Sequence, residues 1–409
     1  MRKTLTKVLS TLTCMAMIFA SAVGCGVRDD NAADSSTNRP VDEKKTQLAI
    51  ANENGGFGDE WLRKIADAFE EFYKDTVFEE GKNGVQVTID NKAVGEVMGS
   101  GALNKIDGSR DVIYFTEGAN YWEYATSGKI LDITDLITEP LTEYGESKAI
   151  IDKLDPYLVD NLKTADGKYY MLPYFNGPFT FSYDVKLFDE NCLYFKYGAA
   201  ADGMDVFSDE ADLESLFIAD MSEQKSVGPD NIAGTVDDGL PVTYDDFFAL
   251  TKYMKTTYNI TPVVFTGVYV DYLVQEAVSL WANENGYDNI LRTYTLSGTA
   301  DDLIDVASGV ITPVATTTIT EDNAYVLQKE IARYNALNFI YDFVKHDYIY
   351  DAQSFGSSLT HTGAQDRFLY SSNASYNTIG MIIEGTWWWN EARGTFNSMS
   401  QEFDSSYSR

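Results

Sequence analysis

The hydrophobic pattern of this chain alternates between short apolar runs and stretches with helical spacing. Three apolar runs of strand length come early in the chain and predict β-strands: 47–51, 85–89 and 111–115. Helical spacing after the first run places four large residues on one face: Trp61, Ile65, Phe69 and Phe72. This alternation of strands and helices predicts an open α/β sheet.

Two polar loops follow the first and third predicted strands. In open α/β sheets, the loops at the carboxyl ends of the strands line the ligand crevice. The first loop is rich in glycine but contains neither nucleotide-binding pattern, GxGxxG or GxxxxGK[ST]. The candidate ligand-binding residues in these two loops are Glu53, Asn54, Phe57, Phe115, Thr116 and Glu117.

An extended segment crosses the middle of the chain. Residues 169–183 are interrupted by Pro173, Gly177 and Pro178, and this composition predicts a crossing between two lobes where a few residues absorb a hinge rotation. Asn176 lies within the crossing and is a further candidate ligand contact.

The second half of the chain predicts three further elements. Thr243 and Asp246 have the spacing of a capping box at the start of a helix, and residues 262–267 predict a strand and turn. Helical spacing from about 322 to 344 predicts one long helix. Its expected core stripe consists of Leu327, Ile331, Tyr334, Leu337, Tyr341 and Val344.

Three consecutive tryptophans follow the last predicted strand. The apolar run that ends at Ile383 predicts this strand, and Trp387 begins the aromatic run. Consecutive helical residues point about 100° apart, so one core cannot enclose all three rings. We expect at least one ring to face a cleft, a partner or solvent. The alternative is that all three line a lobe interface or a groove between helices. The candidate ligand contacts are Glu384, Trp387 and Trp388.

The N-terminus has the composition of an export signal. A basic start precedes the apolar stretch 8–20, and small residues stand immediately before Cys25. This arrangement resembles a bacterial lipobox and predicts a signal peptide at 1–24, with lipid on Cys25; ordinary signal-peptidase cleavage nearby is the alternative. Residues 26–45 are polar, so 25–45 is expected to be a lipidated, disordered tether. The lipidated protein would lie at the extracellular face of the membrane, in a Gram-positive bacterium.

Charge and cysteine content reduce the number of possible functions further. The formal net charge is −32, which repels phosphate backbones and argues against nucleic-acid binding; the acidity is typical of a protein kept soluble outside the cell. Cys14 leaves with the signal and Cys25 carries lipid in this interpretation, so Cys192 has no partner for a disulfide. A chain of 409 residues predicts two domains.

An acidic, glycine-rich loop lies at 226–241. Asp230, Asp237 and Asp238 resemble the carboxylates of short calcium loops, because hard oxygen ligands suit Ca²⁺. The loop lacks the EF-hand pattern, and a solvated acidic loop is the favoured alternative. No cofactor is expected to be required.

Four stretches, taken in order after the lipobox, resemble the extracellular solute-binding proteins (family 1) of carbohydrate ABC transporters. They are the opening strand with its glycine turn and helix, 111–115 with 128–132, 166–173 with Tyr183, and 380–389. The resemblance implies a two-lobe, type II periplasmic-binding-protein-like fold, with a mixed sheet flanked by helices in each lobe. Lobe I would span 46–177 and lobe II 178–409. It also implies a monomer that carries a sugar or oligosaccharide to ABC permease subunits.

The same resemblance implies roles for particular residues. Phe115 would contact sugar from the first lobe and Trp387 from the second; phenylalanine at 115 replaces the tryptophan of some members, which leaves the sugar class open. Contacts are also implied just after the strand at 262–267, at Tyr269, Asp271 and Tyr272. The family's return segment does not follow before Arg409, so we expect an incomplete second lobe and crossover, from a fragment or a truncated gene.

Catalytic motifs give little support to an enzyme. The chain has no HExxH, CxxC or GxSxG pattern, and its two histidines, His346 and His361, are not close in sequence. We therefore predict a binding protein and not an enzyme. A glycosidase needs just two carboxylates, so a secreted glycan-active enzyme remains an alternative. A polysaccharide-binding surface protein, or a binder of a peptide or another polar solute, is the other alternative.

Overall fold

The computed structural model describes residues 39–52, 56–90, 112–115, 121–160, 162–164, 166–175, 177–269, 271–371 and 377–402. The chain divides into two compact units, 1–176 and 177–409. The predicted signal peptide, Cys25 and most of the predicted tether lie outside the described residues, and the predicted domain limits stay predictions. Among the helices of the described part, none combines the length and the apolarity that crossing a membrane requires.

Unit 1 is built on a parallel sheet with the strand order β2-β1-β3. Its strands and α-helices are β1 (Thr46–Asn52), α1 (Glu60–Phe72), β2 (Val85–Asp90), β3 (Val112–Phe115), α2 (Tyr121–Thr126), α3 (Thr134–Thr138) and α4 (Pro156–Asp160). The three predicted strands are confirmed. Helix α1 packs on the sheet, where Phe69 and Leu62 are fully buried beside Ile50 and Val87. The predicted α/β character is therefore confirmed for this unit.

The buried face of α1 differs from the predicted one. Phe72 is 64% exposed, whereas Leu62 is fully buried. The observed face is centred on Leu62, Ala66 and Phe69, and at 100° per residue Trp61 and Phe72 lie roughly 80–100° round the helix from its centre. The predicted face was therefore displaced toward the aromatic residues, which occupy its edge.

The described residues of unit 2 form one three-stranded sheet and two small two-stranded sheets. Its strands are β4 (Phe179–Tyr183), β5 (Thr261–Val264), β6 (Gly298–Ala300), β7 (Ile304–Ala307), β8 (Val310–Pro313), β9 (Thr317–Ile319) and β10 (Ile379–Gly385). Its α-helices are α5 (Val185–Glu190), α6 (Tyr244–Tyr258), α7 (Asp271–Asn285), α8 (Tyr287–Thr295), α9 (Ile331–Lys345), α10 (His361–Tyr370), α11 (Trp388–Glu391) and α12 (Arg393–Glu402). The mixture of small sheets and helices is again α/β.

Strand β10 is the centre of the main sheet in unit 2. It pairs antiparallel with β4, where Met381 faces Tyr183, and parallel with β5, where Met381 faces Val263. Every residue of β10 is buried, as expected for a strand covered on both faces. The predicted strand before the tryptophans is confirmed, and its end delivers them to one edge of the sheet.

The predicted capping box at the start of α6 is also confirmed. The Thr243 hydroxyl accepts a hydrogen bond from the Asp246 backbone N–H at 3.1 Å, and the Asp246 carboxylate accepts one from the Thr243 N–H at 3.0 Å. This reciprocal arrangement satisfies donors that a helix start otherwise leaves unpaired. The same carboxylate also accepts from the Ala201 N–H, which ties α6 to a distant loop.

The predicted long helix at 322–344 is wrong in its extent. A 3₁₀ helix spans Ala324–Lys329, and α9 begins only at Ile331. The interruption lies at Glu330, whose ψ of 137° is extended and whose side chain is fully buried. Its carboxylate accepts hydrogen bonds from Trp281, Asn285 and Arg292, so a tertiary ion pair overrides the local helical pattern.

The predicted core stripe is confirmed at Leu327, which is 1% exposed, but it is wrong within α9. Leu337 and Tyr341 are 60% and 63% exposed. The buried face of α9 instead consists of Ala332, Ala336, Phe339 and Phe343. Ala332 and Ala336 pack against Trp281 of α7, and Phe339 and Phe343 enter the main core of unit 2, so the neighbouring elements decide which face turns inward.

Candidate functional site

A row of rings lies in unit 2 where β10 ends. Trp387 meets Phe179 edge to face, with ring centroids 5.1 Å apart, and Phe179 meets Tyr272 in the same way at 5.0 Å. Tyr272 is 6.3 Å from Tyr269, which is 5.4 Å from the imidazole of His361. We call these five residues the aromatic row. It joins β4, the start of α7, the start of α10 and the turn after β10.

Gly385 positions the first ring of the row. A Cβ atom at this position would lie 2.1 Å from Cη2 of Trp387, so the indole lies directly over the glycine backbone. The backbone N–H of Thr386 donates to the Pro178 carbonyl at 3.2 Å, which holds the turn against the residue before β4. The ring therefore depends on a close backbone approach that glycine alone permits.

The three tryptophans diverge as the helical geometry predicts. Trp387 is partly buried in the row, and Trp389 is 56% exposed with the guanidinium of Arg393 at 6.0 Å from its ring. Trp388 packs between Phe368 and Phe396, each at 5.8 Å. The expectation that one core cannot take all three rings is confirmed. Trp388 belongs to the hydrophobic packing of unit 2, a role that differs from its predicted ligand contact.

A buried polar network lies next to the row. The side-chain N–H₂ of Gln365 donates to Glu384 Oε1 at 2.9 Å and to Glu391 Oε2 at 2.7 Å. We call this arrangement the Gln365 bridge. His361 of the row lies beside it, with Nε2 at 3.8 Å from Glu391 Oε1. Two buried atoms of the network, Gln365 Oε1 and His361 Nδ1, have no hydrogen-bond partner among the described residues.

The bridge alters the acidity of Glu384. Burial raises the pKa of this carboxyl to about 8, and the neighbouring Glu391 carboxylate acts in the same direction. The hydrogen bonds from Gln365 and from the Gly385 N–H oppose this shift. Burial dominates because a charged carboxylate loses more hydration than two donors restore. Glu384 therefore carries a proton at neutral pH.

Glu384 occupies a different position from the one predicted for it. Its side chain is 1% exposed, and its carboxyl contacts Gln365 and the Gly385 backbone. A ligand contact requires an accessible atom, so the structure corrects the predicted role: Glu384 lies beneath the turn that carries Trp387.

The other predicted contacts of unit 2 lie at the start of α7. Tyr269 is 42% exposed, Asp271 is exposed as the first helical residue, and Tyr272 is partly buried. The row therefore contains both predicted tyrosines. Trp281, inside α7, is 7% exposed and belongs to the core.

Unit 1 carries a second group of rings, where α1 begins and β3 ends. Phe115 lies 5.3 Å from Trp61 and 5.1 Å from Tyr174, and Trp61 and Tyr174 are stacked at 5.8 Å. Phe57 meets Phe175 at 4.0 Å, and Phe175 meets Tyr174 at 4.8 Å. We call these five residues the unit 1 cluster. All of them are partly buried, so two predicted residues, Phe57 and Phe115, come together with three unpredicted ones.

Five predicted site residues have no description in this structure. Glu53, Asn54, Thr116, Glu117 and Asn176 lie outside the described residues, and their predicted roles stay predictions.

Several participants were missed at the sequence level. Phe179 had a usable signal, because it lies at the end of the predicted crossing and begins a strand. Gln365 and Glu391 had none: a glutamine in a helical stretch and a glutamate after the tryptophans are common surface residues. Only the fold places Gln365, which is 1% exposed, between two carboxylates.

The acidic loop uses its carboxylates within the turn. Asp237 Oδ2 accepts from the Asp230 N–H at 2.9 Å, Asp238 Oδ2 accepts from the Gly234 N–H at 2.8 Å, and Asp230 Oδ1 accepts from the Ile232 N–H at 2.7 Å. Across the described ranges, no group of three acidic, histidine or cysteine side chains has an arrangement that could hold a metal ion. The calcium interpretation of these three aspartates therefore finds no support in the geometry.

Comparison with known proteins yields likenesses to solved structures, and one of them is described here. No protein-family model matches this chain, and no curated protein matches it. A solved structure described in terms of xylan utilization by the thermophilic bacterium Caldanaerobius polysaccharolyticus is similar, with a TM-score of 0.45 and 14% identity. The match covers 83% of this chain, and the chain spans 61% of that protein's length. A likeness this weak supports no conclusion about fold or function.

Proposed function

We propose that this protein binds an extracellular sugar or oligosaccharide in a cleft between its two units and delivers it to an ABC-type membrane permease. The observation that carries the proposal is the aromatic row, which begins with Trp387 over Gly385 and ends at His361 beside the Gln365 bridge. Flat ring faces next to hydrogen-bonding groups are the arrangement that ligand sites for ring-shaped polar molecules use.

A sugar suits this combination better than a purely apolar ligand does. The C–H face of a pyranose packs on indole and phenol rings, while its hydroxyls need donors and acceptors at the rim. His361 supplies its imidazole Nε2 there, and Tyr269 and Tyr272 supply hydroxyls that both donate and accept. Asp271, exposed at the start of α7, adds a carboxylate acceptor close by in sequence.

The unit 1 cluster would supply the opposing surface. Its five rings gather at the carboxyl end of β3 and the turn after β1, where open α/β sheets bind ligands. In the proposed type II arrangement, the ligand bridges the two units and shifts the population toward a closed form, because only that form offers both sets of contacts. We expect micromolar affinity, about −8 kcal/mol.

A glycan-active enzyme is the second candidate, and one observation favours it. Glu384 and Glu391 approach the same Gln365 nitrogen, and Glu384 is protonated at neutral pH as a general acid must be. Against this candidate, the Glu384 side chain is 1% exposed and a substrate would not reach it. Binding without bond cleavage is therefore the better-supported proposal.

Titration calorimetry against a panel of maltotriose, cellotriose and xylotriose tests this function. We expect micromolar binding of at least one trisaccharide and a decrease in the radius of gyration by solution scattering when it binds. Release of p-nitrophenol from p-nitrophenyl glycosides would favour the enzyme. Retention on insoluble glycan without trisaccharide binding would favour a polysaccharide-binding surface protein, and binding of peptides alone would redirect the proposal to another solute.

The membrane anchor is part of the same proposal. Lipid on Cys25 would hold the protein at the outer face of the cell membrane beside its permease, on a flexible polar tether. Replacing Cys25 with alanine is expected to abolish incorporation of radiolabelled palmitate. A variant that still incorporates the label would contradict lipidation of this residue and would leave sugar binding untouched.

A further inference from the structure

The Gln365 bridge connects the two ends of the turn that carries Trp387. Glu384 is the last residue but one of β10 and Glu391 is the last residue of α11, so the two bridged carboxyls stand on either side of residues 385–390. The donor comes from a third element, α10. A single carboxamide therefore fastens both ends of this turn to one helix.

We propose that Gln365 is a positioning residue for the ligand site: by bridging Glu384 and Glu391 it holds Trp387 in the orientation that binds the ligand, and alkaline pH releases it. This inference rests on the proposed function for the identity of the ligand. The bridge itself is seen in the hydrogen bonds of the structure, and its dependence on pH can be tested without a ligand.

The bridge is stable only while the carboxyls of Glu384 and Glu391 carry at most one negative charge between them. Both approach the same Gln365 nitrogen, at 2.9 and 2.7 Å, in a setting where Gln365 and Glu384 are each 1% exposed. Two like charges held this close in a buried site repel strongly, because the local dielectric constant is low. Keeping the proton on Glu384 removes that repulsion, in agreement with its pKa of about 8.

Glu384 is the group whose ionisation would open the bridge at alkaline pH, and the titratable groups on the surrounding elements are as follows. Helix α10 supplies His361, which lies near Glu391, while Asp366 accepts from Thr395 and Arg367 pairs with Asp351. Strand β4 carries Tyr183, and β5 carries no titratable side chain. The titratable residues of α7 are Asp271, Tyr272, Glu276 and Glu284. Among the titratable groups on these elements and on α11, Glu391 is the charged group that acts on the pKa of Glu384.

Loss of the proton has a defined consequence for the ligand site. Above about pH 8, Glu384 becomes charged beside Glu391 and the bridge opens. Trp387 then loses the anchors on both sides of its turn, although Gly385 still accommodates the ring. If only the bridged form binds, the dissociation constant rises about fivefold from pH 8 to pH 9.

The first experiment uses tryptophan fluorescence of the full chain without ligand. Trp387 is isolated as the difference between each protein and the same protein carrying Trp387→Phe. We expect this difference spectrum to change with a midpoint near pH 8. Glu384→Gln keeps an acceptor for Gln365 and cannot ionise, so its difference spectrum is expected to stay constant from pH 6 to 10. An unchanged transition in Glu384→Gln overturns the proposal.

Two further variants separate positioning from general stability. Gln365→Leu removes the bridge, and the Trp387 difference spectrum should match the alkaline form at every pH. Glu276→Gln changes a different buried carboxyl, outside the bridge, and should retain the transition near pH 8. Circular dichroism checks that each variant is folded. A transition that Gln365→Leu retains, or that Glu276→Gln abolishes, overturns the assignment to the bridge.

The second experiment measures trisaccharide affinity by calorimetry from pH 6.5 to 9.5. We expect the affinity of the unmodified protein to fall above pH 8 and that of Glu384→Gln to stay level. An identical pH dependence in both proteins overturns the bridge and leaves the proposed function standing. A Trp387 transition that Glu384→Gln abolishes, with no trisaccharide bound at any pH, supports the bridge and rejects sugar binding.

Discussion

The indole of Trp387 lies across Gly385, so close that a methyl group on residue 385 would reach within 2.1 to 2.3 Å of three ring carbons. Contacts of this length do not occur between non-bonded atoms, so any side chain at 385 must displace the ring. The relationship explains why the last residue of β10 is a glycine.

Gly385→Ala should move Trp387 out of the aromatic row. We expect a loss of stability of about 1–3 kcal/mol from overpacking and at least a tenfold loss of sugar affinity. Chemical denaturation and calorimetry measure the two effects. Gly394→Ala is the matched control, because a Cβ at Gly394 in α12 meets nothing within 4 Å. Equal sugar affinity in Gly385→Ala and the unmodified protein would show that the ring position does not matter for binding.

Trp387→Ala should weaken ligand binding more than it weakens the fold. Aromatic anchors in binding sites contribute about 2 kcal/mol or more, which corresponds to a roughly thirtyfold loss of affinity. The melting temperature should change little, since the ring is only partly buried. Trp389→Ala is the control: its ring is 56% exposed and lies outside the row. A large fall in melting temperature with unaltered binding would assign Trp387 to the core.

Glu276 gives a prediction about stability and pH. This carboxyl on α7 is 3% exposed, its Oε2 has no hydrogen-bond partner among the described residues, and burial raises its pKa from 4.5 to about 7. The folded protein therefore holds the Glu276 proton more tightly than the unfolded chain does. Its stability should fall as pH rises from about 4.5 to 7 by on the order of 3 kcal/mol.

Glu276→Gln should remove this part of the pH dependence and raise the free energy of unfolding at pH 8. Denaturant titrations at pH 5, 6, 7 and 8 measure the effect. Glu321→Gln, at an exposed carboxyl, is the control and should follow the unmodified protein. Glu384, whose pKa is raised from 4.5 to about 8, is expected to leave a slope in Glu276→Gln across the whole range from pH 5 to 8. A lower stability of Glu276→Gln at pH 8 would contradict the prediction.

The buried ion pair between Arg292 and Glu330 is expected to contribute much more to stability than the exposed ion pair of the neighbouring Lys329. Arg292 Nη2 lies 3.2 Å from Glu330 Oε1 and 2.8 Å from Asp302 Oδ2, and Glu330 is fully buried. Arg292→Met leaves a buried carboxylate without its cation, and we expect a loss of stability of about 3–5 kcal/mol. Urea denaturation at pH 7 measures it.

Lys329→Ala is the matched control for that pair. Lys329 precedes Glu330 in the chain, and its ion pair with Asp305 joins side chains that are 52% and 62% exposed. Pairs of this kind contribute about 0–1 kcal/mol, so the variant should unfold close to the unmodified protein. Similar losses in Arg292→Met and Lys329→Ala would contradict the distinction between the buried and the exposed pair.

Local sequence patterns were sufficient to predict much of unit 1 and the strand that ends before the tryptophans. Short apolar runs bounded by polar turns have few alternatives, so β1, β2, β3 and β10 could be predicted. The capping box at Thr243 is equally local, because both partners lie within one helical turn. The divergence of the three tryptophans follows from helix geometry alone.

Helix α9 marks the limit of such reasoning. Its sequence has a large apolar stripe containing Leu337 and Tyr341, and a second stripe with the alanines Ala332 and Ala336. Both stripes repeat with helical spacing, so periodicity alone does not choose between them. In the fold the second stripe turns inward, because its alanines pack on Trp281 of α7 while Phe339 and Phe343 enter the main core.

By itself, the sequence determined the α/β class, the strands β1, β2, β3 and β10, the export signal as an expectation, and the divergence of the tryptophans, since each depends on residues near one another in the chain. Only the tertiary structure decided that Gln365 joins Glu384 to Glu391, that Glu330 interrupts a helix to meet Arg292, and that Trp387 lies on Gly385 beside Phe179. Most of these contacts join residues far apart in sequence, and even Trp387 on Gly385 depends on the packing of the turn. Burial and charge, which no local pattern encodes, then determine whether a glutamate accepts a proton or a tryptophan faces a ligand.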